Sequence, residues 1–159
     1  MTSIVPHLWY TDKAEEAAQF YASLIPNSRV DSVTALPSDT PSGPAGSVKI
    51  VEFTLAGQPF LAISAGPLDA FNHAISFMIL CEDQAEVDRL WDGLLKGGGQ
   101  PERCGWLRDR YGLAWQIVPK EFREMARDPD RVRAKRVIDA MLKMVKFDIA
   151  ALRRAYDGA

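Results

Sequence analysis

The sequence predicts an α+β protein in which two βαβββ modules form a mixed, cup-shaped sheet, with helices added at the C-terminus. Three observations predict it. The first is an internal repeat. An offset of 71 residues carries Asp12 onto Asp83, Ala14 onto Ala85, Glu15 onto Glu86, Phe20 onto Trp91 and Leu24 onto Leu95, and later an offset of 55 carries Gly57 onto Gly112 and Phe60 onto Trp115. A unit used twice is one supersecondary piece repeated, and the change of offset mostly reflects a Pro-, Ser- and Gly-rich insertion over 37–46. The second is that each half runs strand, helix, three strands, with apolar and β-branched runs punctuated by Gly, Pro and Asn. The third is a change to helical periodicity after Pro119.

Taken in order, Ser3 to Tyr10 reads as a strand and Asp12 as the cap of a helix, with Glu15 placed as in a capping box. Ala14, Ala17, Ala18, Tyr21 and Leu24 recur at helical spacing until Pro26-Asn27. Strands follow over Ser28–Leu36, Val48–Leu55 and Pro59–Ser64, the last two joined at Ala56-Gly57-Gln58. The loop Pro37–Gly46 is either a plain connection or a flap or arm, since it exceeds a usual hairpin loop. Ala74–Cys81 reads as a strand and Asp83 as a second cap, with Val87, Leu90, Leu94 and Leu95 on the apolar stripe. Gly97-Gly98-Gly99 comes after this helix, which fits a C-cap rather than a phosphate cradle. From Cys104 to Pro119 the chain reads strand, turn, strand: Asp109 suits the start of the turn, Gly112 its end, and Pro119 closes the last strand because it has no N–H. Asp128-Pro129 then reads as a helix start, with a stripe of Ala134, Val137, Ile138, Met141, Leu142 and Val145, and Asp148 restarts a helix carrying Ile149, Leu152 and Tyr156. These two amphipathic helices are expected to supply packing and no chemistry. Residues 1–65 thus form the first module, 73–119 the second and 120–159 a helical extension, within one structural domain.

With 47% hydrophobic residues, 25% charged residues and a net charge of −2, the chain is an ordinary globular one. Residues 119–159 hold 11 basic and 7 acidic groups, but aromatics are not interleaved with the basic ones, so a solvated helix face is expected and no nucleic-acid partner. No signal peptide and no membrane span are expected, which points to a cytoplasmic location. Cys81 and Cys104 lie far apart without a Cys-x-x-Cys spacing and read as reduced structural residues, with a catalytic thiol at Cys104 a minor alternative.

The repeat resembles the vicinal oxygen chelate superfamily of glyoxalases, bleomycin-resistance proteins and extradiol dioxygenases. Trp9-Tyr10 followed by Ala14-Glu15-Glu16-Ala17 and Phe20-Tyr21, Cys104-Gly105-Trp106 through Trp115-Gln116-Ile117-Val118-Pro119, and Ala140-Met141-Leu142-Lys143-Met144 with Asp148-Ile149 together look like its PhnB-like branch, often labelled 3-demethylubiquinone-9 3-methyltransferase. The resemblance implies a homodimer, and metal ligands from the first and last strand of each module, typically His and Glu. Those positions fall here on Val5, Leu61, Ser76 and Gln116. Val and Leu cannot bind a metal, and Ser and Gln are poor ligands for first-row divalent ions, so no metal and no cofactor is expected. Nor is there a Gly-rich strand-to-helix turn of the kind a nucleotide-binding methyltransferase uses.

Strand alternation places Val5, His7, Trp9, Leu61, Ile63, Ser76, Met78 and Gln116 towards the cup, and Ile4, Leu8, Phe60, Ile75, Phe77, Ile79, Trp115 and Ile117 towards the helices. The expected ligand site is therefore His7, Trp9, Ser76, Met78 and Gln116, with Trp106 entering from the neighbouring strand, in a cup between the modules, and Tyr111 is a further candidate wall residue. A mostly apolar wall with a few polar groups suits a small aromatic or amphipathic molecule. His7 is the candidate catalytic residue, because imidazole is the side chain that changes charge near neutral pH; a base or a hydrogen-bonding wall is preferred to a lone metal ligand, since one imidazole without partners is a weak metal site. His73 reads as an exposed loop residue. Three alternatives stand beside a metal-independent binder: a metal-dependent glyoxalase- or dioxygenase-type enzyme, the methyltransferase of the family label, and a pure interaction module. Whether the chain is an enzyme is left open by its residues.

Overall fold

The computed structural model describes residues 1–159 and is α+β, with two four-stranded mixed sheets and five helices. It divides into two compact units, Met1–Ala70 and Phe71–Ala159.

In the first unit, β1 (His7–Tyr10), β2 (Arg29–Ala35), β3 (Lys49–Leu55) and β4 (Gln58–Ser64) form a sheet of order β1-β4-β3-β2, covered on one face by α1 (Ala14–Leu24). Only β1 and β4 run parallel. Leu8, Tyr10, Val51, Phe53, Phe60 and Ala62 are buried on the helix side with Ala14, Ala17, Ala18 and Tyr21. The hydroxyls of Tyr10 and Tyr21 meet at 3.1 Å inside this layer, so neither phenol is buried without a partner.

In the second unit, β5 (Phe77–Cys81), β6 (Gln100–Pro101), β7 (Trp106–Arg108) and β8 (Ala114–Pro119) form a sheet of order β5-β8-β7-β6, covered by α2 (Gln84–Leu95). Val87, Leu90, Trp91 and Leu94 of α2 are buried, as are Leu107, Trp115 and Ile117 of the sheet. The repeat is reproduced in the hydrogen-bonded register. His7 stands beside Leu61 and Met78 beside Gln116; Leu8 beside Ala62 and Ile79 beside Ile117; Tyr10 beside Ser64 and Cys81 beside Pro119.

After Pro119 come three helices rather than the two expected: α3 (Lys120–Ala126), α4 (Arg131–Met141) and α5 (Ile149–Asp157). The expected start at Asp128-Pro129 is two residues early. Asp130 is the N-cap of α4, its Oδ1 accepting from the N–H groups of Val132 and Arg133, while Asp128 Oδ1 accepts from Asp130 N–H. The expected stripe also stops short: Ala134 and Val137 are buried, but Leu142 and Val145 lie past the helix and are about half exposed. Asp148 caps α5 through Ala151 N–H, as read from the sequence.

Other local expectations are corrected. The first strand begins at His7, not Ser3, because Pro6 has no N–H to donate, although its carbonyl accepts from Leu61 N–H. The fifth begins at Phe77, not Ala74, because Asn72 Oδ1 draws in the Ala74 N–H and turns the chain there. Ile4 and Ile75 therefore lie outside the strands, 88% and 68% exposed, and not against helices. Asp12 does not cap α1; Ser64 Oγ, at the end of β4, accepts from Ala14 N–H instead. Asp83 does cap α2, through Glu86 N–H at 2.9 Å. The segment 37–46 folds back on itself: Thr40 and Gly43 pair, Asp39 accepts from Ala45 N–H, and Gly46 N–H bonds to Leu36 O.

Candidate functional site

The turn at 109–112 fixes the edge of the second sheet. Asp109 is buried, and its Oδ1 accepts from Tyr111 N–H at 2.8 Å and Leu113 N–H at 3.1 Å, while its Oδ2 accepts from Trp115 Nε1–H at 2.9 Å. Gly112, at φ +86°, brings its N–H back to Asp109 O. One carboxylate thus closes the turn and locks the indole of Trp115 on the helix side. That sets the phase of β8: Trp115 and Ile117 face α2, and Gln116 and Val118 face the other way.

Across this open face runs a row of three neighbours, Trp106, Gln116 and Met78. Ser76 Oγ accepts from Gln116 Nε2 at 2.9 Å, so the carboxamide is held in place. Four of the expected site residues are therefore together. Met78, Trp106 and Gln116 form, with Val118, the floor of a cleft of about 330 Å³. Its walls come from the C-terminal extension, for the most part from residues that precede the two helices expected there. Phe122 and Arg123 line it from α3 and Arg127 from that helix's C-cap, and Met141 and Phe147 close it. Phe147 is buried, and its ring lies 4.9 Å from that of Phe122.

The closing segment is well anchored. Cys104 and Gly105 donate their N–H groups to Met144 O and Val145 O, and Gln84 donates to Phe147 O while accepting from Ile149 N–H. Gly105 is at φ +80°, where a Cβ would run into the Phe147 ring and come within 2.9 Å of Ile117 O. Cys104 borders the cleft, half-buried, whereas Cys81 is fully buried and its thiol is pushed up to about 12, chiefly by burial and then by nearby Glu86.

His7 and Trp9 lie on the open face of the first sheet. His7 is exposed, in a row with Leu61, Glu52 and Ser32, and Ser32 Oγ donates to Glu52 at 2.8 Å. Trp9 is half-buried, and its Nε1–H already donates to Gly66 O at 2.8 Å, leaving only its ring face for a ligand. Glu52, next to an expected position on the neighbouring strand, was not singled out from sequence. Alternation along Lys49–Leu55 carries that signal. His73 bonds Glu102 at 2.7 Å and lies beside Trp106, with ring centres 6.0 Å apart.

The residues present do not fit a metal. Val5 and Leu61 offer no donor, Ser76 and Gln116 bond each other, and no group of three or more His, Cys, Asp or Glu is placed to hold an ion. No helix is long and apolar enough to cross a membrane.

The family model described as 3-demethylubiquinone-9 3-methyltransferase matches residues 2–118. Among solved structures, the chain is similar to a PhnB protein from Bacillus cereus that carries the same methyltransferase description, at 31% identity over 74% of this chain and 99% of that one, with a TM-score of 0.66. It shares its fold with protein PA1353 from Pseudomonas aeruginosa, at 21% identity, 75% and 98% coverage and a TM-score of 0.57. A glyoxalase family protein from Bacillus cereus, at 11% identity, 75% and 93% coverage and a TM-score of 0.53, shares it too. No curated protein matches. The family match ends before α3, so the helices that wall the cleft lie outside it.

Proposed function

The chain belongs to the family described as 3-demethylubiquinone-9 3-methyltransferase, the PhnB-like branch of the glyoxalase, bleomycin-resistance and dioxygenase superfamily, and on that premise we propose that it binds a small aromatic or amphipathic molecule in the cleft of its second unit without a metal ion. The observation that carries this reading is the row Trp106–Gln116–Met78 on the floor of the cleft. It offers a π face, a polarizable thioether and one oriented carboxamide. A cleft of about 330 Å³ is at the lower end of the range for small-molecule sites. The methyltransferase description finds little support, because neither sheet is the doubly wound parallel sheet that carries a nucleotide-binding turn. The homodimer implied by the resemblance and a cytoplasmic location belong to the same reading.

The test is a thermal-shift screen of quinones, aromatic drugs and small dicarbonyls on wild type, Trp106→Ala, Gln116→Ala, His7→Ala and Trp9→Ala. A hit should stabilise wild type and lose its effect in the first two. Equal stabilisation of wild type, His7→Ala and Trp9→Ala would confine the site to the second unit and remove His7 as a catalytic group. Equal stabilisation of all five would refute the assignment. One metal ion per chain in untagged protein would favour the metalloenzyme reading, and a calorimetric response to S-adenosylmethionine the methyltransferase.

A further inference from the structure

Charge on the cleft lining is one-sided. Arg123 on α3 and Arg127 at its C-cap are one turn apart, and no acidic residue shares the lining with them. Neither guanidinium has a carboxylate partner, whereas other arginines of this unit do: Arg108 with Glu102, Arg133 with Asp157 and Arg153 with Glu121. Arg123 is partly buried beside Phe122 and projects into the cleft; Arg127 is more exposed and also borders an adjoining groove with Glu124 and Asp128. An unpaired guanidinium next to an apolar, aromatic-floored recess has a natural complement. A planar acid can lay its ring against Trp106 and Met78 and accept two parallel hydrogen bonds on its carboxylate.

Resting on the reading above, we infer that the natural ligand is an aromatic carboxylate or a close anionic analogue, its ring over the Trp106–Gln116–Met78 floor and its charge on Arg123, with Arg127 assisting. Recognition of the charge is then a property of the C-terminal extension, which the family match does not cover. The shared sheet supplies the ring site and α3 supplies the selectivity.

The probes are 2-naphthoate and its neutral isostere 2-naphthamide, titrated against the full chain with methyl-labelled methionine. Met78 and Met141 line the cleft and Met125 is buried elsewhere, so their signals locate the binding. Naphthoate should shift Met78 and Met141 but not Met125, bind at least about tenfold more tightly than naphthamide, and weaken as salt rises. Arg123→Gln should abolish that preference by bringing naphthoate down to about the affinity of naphthamide, and Arg123→Lys should keep part of it. Equal affinity for both probes on wild type, with Met78 shifted, would overturn the anionic ligand and leave the aromatic cleft standing. Neither probe shifting Met78 would overturn both readings. An unchanged preference in Arg123→Gln would overturn the assignment of the charge to α3.

Discussion

Gly105 and Phe147 fit against each other so closely that the ring of one occupies the place where the other would carry a side chain. Two independent constraints meet at Gly105, the positive φ and this contact. Gly105→Ala should destabilise the second unit by about 2–4 kcal/mol, from backbone strain and displacement of a buried ring. Urea unfolding measures the loss. Increased proteolysis between α4 and α5 would locate it, and a stability within about 0.5 kcal/mol of wild type would contradict the fit.

Asp109 serves three donors with one carboxylate. Asp109→Ala leaves two backbone N–H groups and the Trp115 indole N–H without their acceptor in a buried place, so a loss of about 3 kcal/mol or more is expected. Asp109→Asn keeps one acceptor oxygen and should lose less. Near-ultraviolet circular dichroism reports Trp115 directly; an unchanged spectrum in Asp109→Ala would show that the bond does not hold the indole.

The two cysteines should differ in reactivity. Cys81 is buried and its thiol, at about 12, stays protonated in neutral and mildly alkaline solution. Cys104 is half-buried at the cleft. Iodoacetamide at about pH 8 should therefore label Cys104 in the native protein and leave Cys81 until unfolding, as peptide mapping would resolve. A cleft ligand should slow the labelling of Cys104. Labelling of Cys81 at an equal rate would mean that the sheet opens readily.

Acid should release the last helix first. Three carboxylates that tie down the C-terminal segment are held below their ordinary values: Glu121 by the hydrogen bond from Arg153, Asp88 by those from Lys146 and Gln84, and Asp128 by those from the Tyr156 hydroxyl and Asp130 N–H. A depressed folded-state pKa gives stabilisation that is complete above the ordinary values, 3.8 for Asp and 4.5 for Glu, and is lost as pH falls through the lowered ones. These groups are largely exposed, so the change is graded and shrinks with salt. Hydrogen exchange should show α5 losing protection below about pH 4 while β5 and β8 keep theirs. Simultaneous loss in all three would show that the pairs contribute nothing of their own.

Much of this architecture can be read from local chemistry. Asp83 caps its helix, Asp109 opens its turn, and the paired offsets reappear as paired registers, because each depends on neighbours in sequence or on the two-residue period of a strand. What fails is decided by distant partners. Asp12 has the composition of a cap, yet Ser64 arrives from another strand and takes the bond. Asp128 resembles a cap more than Asp130 does, but Tyr156 draws its second oxygen away. Met78 and Gln116 reach the cleft by alternation, Trp106 from the neighbouring strand, and Ser76 joins them through its bond to Gln116. Arg123 and Phe122 do not show themselves in this way: the seven residues of α3 are too few for a periodic pattern to stand out, and the face that meets the sheet depends on how the helix docks.

Pro119 is both the last residue of β8 and the residue that precedes α3, so sheet and helix meet without a connecting loop. Length itself is therefore informative at this joint. One added residue would turn α3 by about 100° and advance it by about 1.5 Å, carrying Phe122 and Arg123 round to a different side of the helix. Substitution can retune the cleft one side chain at a time, but insertion there would exchange its whole wall.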